Sequence, residues 1–228
     1  MRLMHCDRGL FFLYSIIKHG QLLGSNADNA LPSRCTIVIT DGRIESIKPD
    51  SLPEANYPKD ATLIDASDCW VTPSFIDLCH YLREPGHEHK GSIESETAAA
   101  AAAGFTHMVC PPNTDPIVDT PAVVNLIQKL NQKAGYCHIY QLGAMTTSLQ
   151  DQQLSEMHAL KEAGCIGIYP GDTTTIDNRT LLRCMEYAAT FDLPIYFRPL
   201  DNSLGQGGLM HEGELSNQLG ICITRDGR

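Results

Sequence analysis

Hydrophobic positions along the chain follow two rhythms. From about residue 14 to residue 74 they form short β-branched or alternating runs separated by turn chemistry. Cys35–Thr40 is such a run, Asp41-Gly42 follows it, and Arg43–Ile47 alternates behind. A two-residue Asp-Gly link between runs of this kind predicts a β-hairpin, because both turn residues must adopt positive φ. Ile16-Ile17 and Ala61–Ala66 predict further strands, and the polar, Pro-bearing stretches 26–33 and 49–59 predict loops.

From Trp70 the rhythm becomes strand, loop, helix, repeated. Strands are predicted at Val71–Leu78, Thr106–Cys110, His138–Leu142, Cys165–Ile168 and Leu193–Phe197. Between them lie predicted helices at Ser92–Ala103, from Thr120 to Gly135, and at Asp151–Ala163. A fourth is capped by Asn178, with Leu181, Leu182, Met185 and Ala188 as its apolar face. Pro121 suits a first helical turn, and Gly104, Gly135 and Gly164 suit helix ends. The six alanines from Ala98 to Ala103 favour helix and close packing on a sheet. Strand starts recur about every 30 residues, the length of a βα unit, which implies parallel strands covered by helices. That rhythm fits part of a (β/α)8 barrel and a doubly wound open sheet equally well. The boundary between the rhythms divides the chain into a small β domain, 1–69, and an α/β part, 70–228.

With 228 residues, 43% of them hydrophobic, the chain can bury a substantial core. Its net charge of -10 and lack of a Lys/Arg run argue against a nucleic-acid or anionic-membrane partner. Nine cysteines occur without a CxxC pair, several inside apolar runs, which fits reduced thiols and a cytoplasmic address. The apolar stretch 9–14 is too short for a signal peptide and lacks a cleavage site, and no run reaches membrane-spanning length.

The end of the first βα strand reads Ser74-Phe75-Ile76-Asp77-Leu78-Cys79-His80-Tyr81-Leu82-Arg83-Glu84-Pro85-Gly86. This resembles the G-F-I-D-x-H-x-H-L-R-E-P-G segment of dihydroorotases, members of the amidohydrolase superfamily. The resemblance continues through 98–105, Pro112-Asn113-Thr114, Asp119-Thr120-Pro121, 159–164, 185–188 and 207–213, and covers about Ile16 to about Leu219. It implies the N-terminal part of a TIM-type (β/α)8 barrel, about five βα units, beside a small N-terminal β-sandwich domain. Dihydroorotases run on well past this point, so the sixth-strand His and the eighth-strand Asp are expected to be missing.

Active relatives hold zinc through two His on the first strand, a carboxylate or carboxylated lysine on the fourth and His on the fifth and sixth. The metal lowers the pKa of a water that attacks a cyclic amide. In this sequence the corresponding positions are Cys79, Tyr81, Pro170 and Arg198, with Asp172 two residues beyond Pro170. His80 lies between the first two, and strand alternation would turn it away from the site. A permanent cation at Arg198 replaces a neutral imidazole. No zinc or other cofactor is therefore expected. Arg83 and Asn113 match residues that grip the substrate carboxylate in active relatives, where the guanidinium fork suits that anion. The structural alternatives are that Arg83 pairs with Glu84 or another carboxylate and that Asn113 caps a turn.

The other candidates read as structural. His87-Glu88-His89 lacks HExxH spacing and belongs to a solvated loop. His107 and His138 belong to core or rim, His211 has no assigned role, and Cys79 is expected to be a buried, inert thiol. As a whole, the sequence resembles the non-catalytic dihydroorotase-like subunit that accompanies aspartate carbamoyltransferase, which implies an assembly or stabilising role, or self-association across open sheet edges. Two alternatives stay open. One is an active zinc enzyme interconverting carbamoyl aspartate and dihydroorotate; the other is a truncated gene product without function.

Overall fold

The computed structural model describes residues 14–23, 34–50, 58–150, 152–171, 176–197, 209–211, 213–220 and 223–224. The stretch 9–13, most of the two Pro-bearing loops, Asp172 and Arg198 lie outside the described residues. By contact density the chain forms two compact units, 1–76 with 100–106, and 77–99 with 107–228.

In the first unit, β1 (Tyr14–Leu22), β2 (Arg34–Thr40), β3 (Arg43–Pro49), β4 (Thr62–Asp65) and β5 (Trp70–Val71) form one mixed sheet. Strands β2 and β3 make the expected hairpin, pairing Thr40 with Arg43 across Asp41 (φ 49°) and Gly42 (φ 70°). β1 pairs antiparallel with β2 and parallel with β4 and β5. Cys35, Ile37 and Ile39 build its core, against which Ile17, Leu22, Ile47 and Val71 pack. A register shift after Ile17 puts His19 at φ 62°, where its Nδ1 lies 3.0 Å from Asp65 Oδ1.

The strand expected at Val71–Leu78 is two strands in two different sheets. Pro73 has no N–H to give a ladder, so pairing stops there. β6 (Phe75–Asp77) then starts a parallel sheet of order β6-β7-β8-β9, with β7 (Phe105–Cys110), β8 (His138–Ala144) and β9 (Gly167–Tyr169). The fifth expected strand is reduced to one parallel bridge, Ile168 with Ile195, held by Ile168 N–H to Pro194 O (2.9 Å) and Tyr196 N–H to Ile168 O (2.9 Å).

Helices α1 (Ile93–Ala102), α2 (Pro121–Ala134), α3 (Met157–Glu162) and α4 (Asn178–Thr190) alternate with these strands. Ser92 and Ser95 exchange side-chain-to-N–H bonds at the start of α1, a reciprocal cap. Thr120 precedes α2 without a side-chain cap, Pro121 being preset for the first turn. The cap of α4 is Asp177, not Asn178: its carboxylate accepts from Arg179 N–H (2.8 Å) and Thr180 N–H (3.0 Å). Of the apolar face expected for α4, Ala188 is buried, but Leu182 and Met185 are about half exposed, and Cys184 takes their place. α3 starts six residues later than expected. Beyond α4 lie short β10 (Met210–His211), α5 (Glu214–Leu219) and β11 (Ile223–Thr224).

The two faces of the parallel sheet differ. Val109, Leu142 and Tyr169 cluster on one face, with His107 stacked on Tyr140 in the same alternation. The other face meets the helices: a Cβ on Gly143 would lie 2.7 Å from Leu160 Cδ1 of α3. No described helix is long and apolar enough to cross a membrane.

Candidate functional site

The loops after β6 and β7 carry the residues singled out above. β6 ends at Asp77, so strand alternation does not extend to Cys79, His80 and Tyr81. Cys79 is exposed rather than buried, because it lies in the loop; its N–H donates to Asp77 Oδ1 at 3.0 Å. His80 is anchored through its backbone, N–H to Val109 O at 2.9 Å. Its ring lies between two carboxylates, Nδ1 3.2 Å from Asp77 Oδ2 and Nε2 3.2 Å from Glu96 Oε2 on α1. Both imidazole nitrogens are thus engaged. Replacing His80 with Ala removes this bridge and sets two carboxylates near one another. Because all three side chains are part-exposed, a loss of about 1 kcal/mol in urea unfolding is expected, less at high salt.

Tyr81 is half-buried, and the Arg83 guanidinium lies 5.1 Å from its ring centroid, within cation–π range. Arg83 itself sits at φ 66°. Glu84 is used elsewhere: its Oε2 accepts from Ile93 N–H at 2.7 Å, placing a carboxylate at the N-terminus of α1. Asn113 is half-buried in a turn closed by Thr114 N–H to Pro112 O at 2.8 Å. The two loops are joined where Asp115 N–H donates to Pro85 O at 3.0 Å. Gly86, at φ 97°, fits closely there, since a Cβ on it would lie 2.4 Å from the Asp115 carbonyl oxygen. Arg83 and Asn113 therefore stand on adjoining, mutually tied loops. Pro170 is buried directly after β9, and Arg198 lies outside the described residues.

These positions do not make a zinc donor set. Among the three that are described, Cys79 offers a thiol, Tyr81 a phenol and Pro170 no side-chain donor, while the neighbouring imidazole of His80 is taken up by Asp77 and Glu96. No group of three His, Cys, Asp or Glu among the described residues is placed to hold a metal ion. Burial pushes the Cys110 thiol up, with Asp77 and Cys79 adding to the effect, and burial pushes Cys165 up to about 12. Both are poor nucleophiles at neutral pH.

In the His87-Glu88-His89 loop the rings stand edge-on, 6.2 Å apart, and Glu88 Oε1 accepts from Gly86 N–H at 2.8 Å. That backbone bond holds its carboxyl below the ordinary range. His107 and His138 pair directly across β7 and β8 with ring centroids 5.0 Å apart. Burial, and then the charge of His138, lower the pKa of His107. The folded state therefore prefers neutral His107, while the unfolded chain takes up a proton near the ordinary value of 6.5. Stability is expected to be full above that value and to fall as pH drops below it, and His107→Gln is expected to flatten this part of a stability–pH profile. Sequence reasoning missed the partners of His80, because Glu96 comes to it from a helix 16 residues away.

The family model for dihydro-orotase-like proteins matches residues 70–225. A dihydroorotase-like protein of Pseudomonas aeruginosa is 45% identical over 70% of this chain and 38% of its own length. A dihydroorotase of Syntrophobacter fumaroxidans is 37% identical over 81% of this chain and 42% of its own. Among solved structures, the L-hydantoinase of Arthrobacter aurescens superposes with a TM-score of 0.67 at 18% identity, over 83% of this chain and 41% of that one. A dihydroorotase gives 0.57 at 13%, over 81% and 52%. The chain thus spans about two fifths of the length of these two relatives. The parallel sheet and its helices are a partial TIM-type barrel accompanied by a small N-terminal sheet domain. The chain belongs to the dihydroorotase-like family of the amidohydrolase superfamily.

Proposed function

We propose that this chain is a dihydroorotase-like protein of pyrimidine biosynthesis that has lost zinc-dependent catalysis and serves to assemble or stabilise aspartate carbamoyltransferase in the cytoplasm. The observation that carries the reading is the loop after β6. Where family members place two imidazoles, this chain has Cys79 and Tyr81, and its own His80 bridges Asp77 and Glu96. The site-forming loops nevertheless keep a built connection, Pro85 O to Asp115 N–H, as expected of a scaffold retained for its surface. Among the described residues β6 is an edge strand, and its Phe75 and Ile76, more than half exposed, are the surface assigned to the transcarbamoylase or to a second copy. Tagged protein should retain the transcarbamoylase of its own organism in fixed stoichiometry. Failure to retain it rejects the assembly role, and a clean monomer on size-exclusion chromatography counts against self-association.

A working zinc dihydroorotase is the competing reading, favoured by the adjoining placement of Arg83 and Asn113. Calorimetry separates the parts: heat on adding dihydroorotate that disappears in Arg83→Ala shows retained carboxylate binding. No heat at about 1 mM ligand ends that idea.

A further inference from the structure

A second polar site lies on the opposite, helix-facing side of the sheet. There, a pocket of about 320 Å³ is lined by Gln128, Asn131 and Gln132 of α2, by the first residues of β8 as far as Gln141, and by Gly164. That volume is at the small end of the about 300–1,000 Å³ usual for ligand pockets. Gln141 is 3% exposed. By strand alternation its side chain shares the face of Gly143, which abuts Leu160, and not that of Leu142, which joins Val109 and Tyr169. Both of its amide atoms, Oε1 and Nε2, are buried without a hydrogen-bond partner, as is Asn131 Oδ1. The neighbouring amide nitrogens are engaged: Gln128 Nε2 donates to Ala163 O at 3.0 Å, and Asn131 Nδ2 to Cys137 O at 3.2 Å. Buried amides are nearly always paired, so a wholly unpaired one at a pocket wall marks a place for a partner from outside the chain.

We propose that this pocket binds a small uncharged amide, such as a carboxamide, lactam or urea, through Gln141. The chemistry follows from the open valences. One donor and one acceptor on the same planar group are met by a ligand that presents N–H beside C=O: its N–H donates to Gln141 Oε1 and its carbonyl accepts from Gln141 Nε2. Among the described residues no Lys, Arg, Asp or Glu lines the pocket, so a charged ligand would find no permanent opposite charge there.

The probes are δ-valerolactam and its N-methyl derivative, which keeps ring and carbonyl but carries a methyl group in place of the N–H hydrogen. Nitrogen-15 NMR of the wild-type chain should show δ-valerolactam shifting resonances of residues 128–132, 138–141 and Gly164, with a Kd on the order of 1–10 mM. The N-methyl compound should bind at least about tenfold more weakly, and Gln141→Met, close in shape but without the amide, should lose binding by a similar factor. Equal binding of the two probes, undiminished binding by Gln141→Met, or no lactam binding with only ordered water in the pocket would each overturn the proposal. The comparison of the two probes uses wild-type protein, so it stands even where Gln141→Met fails to fold.

Discussion

Substituting alanine for Gly86 is expected to unfold a large part of the population at moderate urea, with a loss of about 2–6 kcal/mol. Two independent effects add. The residue sits at φ 97°, where a side chain costs about 1–3 kcal/mol. Its new Cβ would also lie 2.4 Å from the carbonyl oxygen and 2.9 Å from the Cα of Asp115. Backbone cannot step aside as the end of a flexible side chain can, so the contact adds about 1–3 kcal/mol of overpacking. The displaced element would be the loop pair that carries Arg83 and Asn113, because Asp115 N–H is bonded to Pro85 O one residue away. Gly213→Ala is the control: no described residue lies within 4 Å of its Cβ position, and its φ of 178° is extended backbone. It should shift the urea midpoint little, within about 0.5 kcal/mol. Equal midpoints for the two variants would show that the 85–86 and 115 loops are not joined as described.

Leu160→Ala is the second large effect, expected at about 2–5 kcal/mol. Leu160 is fully buried on α3, and its Cδ1 lies in the space above Gly143 that a Cβ would take. Truncation empties that space, and the short helix has few other anchors: Met157 is its other buried residue. The same contact makes Gly143→Ala destabilising alone, because its methyl group would meet Leu160 Cδ1 at 2.7 Å. Combined, the two changes relieve one another, the new methyl filling part of the lost volume. The double variant should therefore lose less than the sum of the singles, a coupling of about 0.5–3 kcal/mol in a double-mutant cycle. Strict additivity would place α3 elsewhere on the sheet.

How much of this could be read from the residues depended on the range of the interactions involved. The hairpin at Asp41-Gly42 was legible because the turn geometry is local and demands those residue types. Repeating βα units were legible for the same reason. Boundaries set by competition were not: Asp177 outcompetes Asn178 as the cap of α4 because its carboxylate reaches two N–H groups at once. The apolar run from Val71 to Leu78 hid a break at Pro73, and strand alternation was carried past Asp77 as far as Tyr81, into a loop where it does not hold and where Cys79 is exposed. At the site, the residue identities were visible but their partners were not. Glu96 reaches His80 from α1, Tyr81 takes the Arg83 guanidinium, and Glu84 caps a helix instead of pairing with Arg83. Gln141 raised no signal at all. A single glutamine in a strand is unremarkable until α2 packs over it and leaves its amide without a partner.

The central claim is that the family's metal positions no longer hold a catalytic zinc, and zinc content after equilibrium dialysis tests it most directly. Wild-type chain and the Cys79→Ala variant, dialysed side by side against zinc, are predicted to carry the same amount, since among the described residues no group of three His, Cys, Asp or Glu is placed to hold a metal ion. One equivalent of zinc on the wild-type chain that is lost in Cys79→Ala would contradict the account and restore a metal-dependent hydrolase as the better reading.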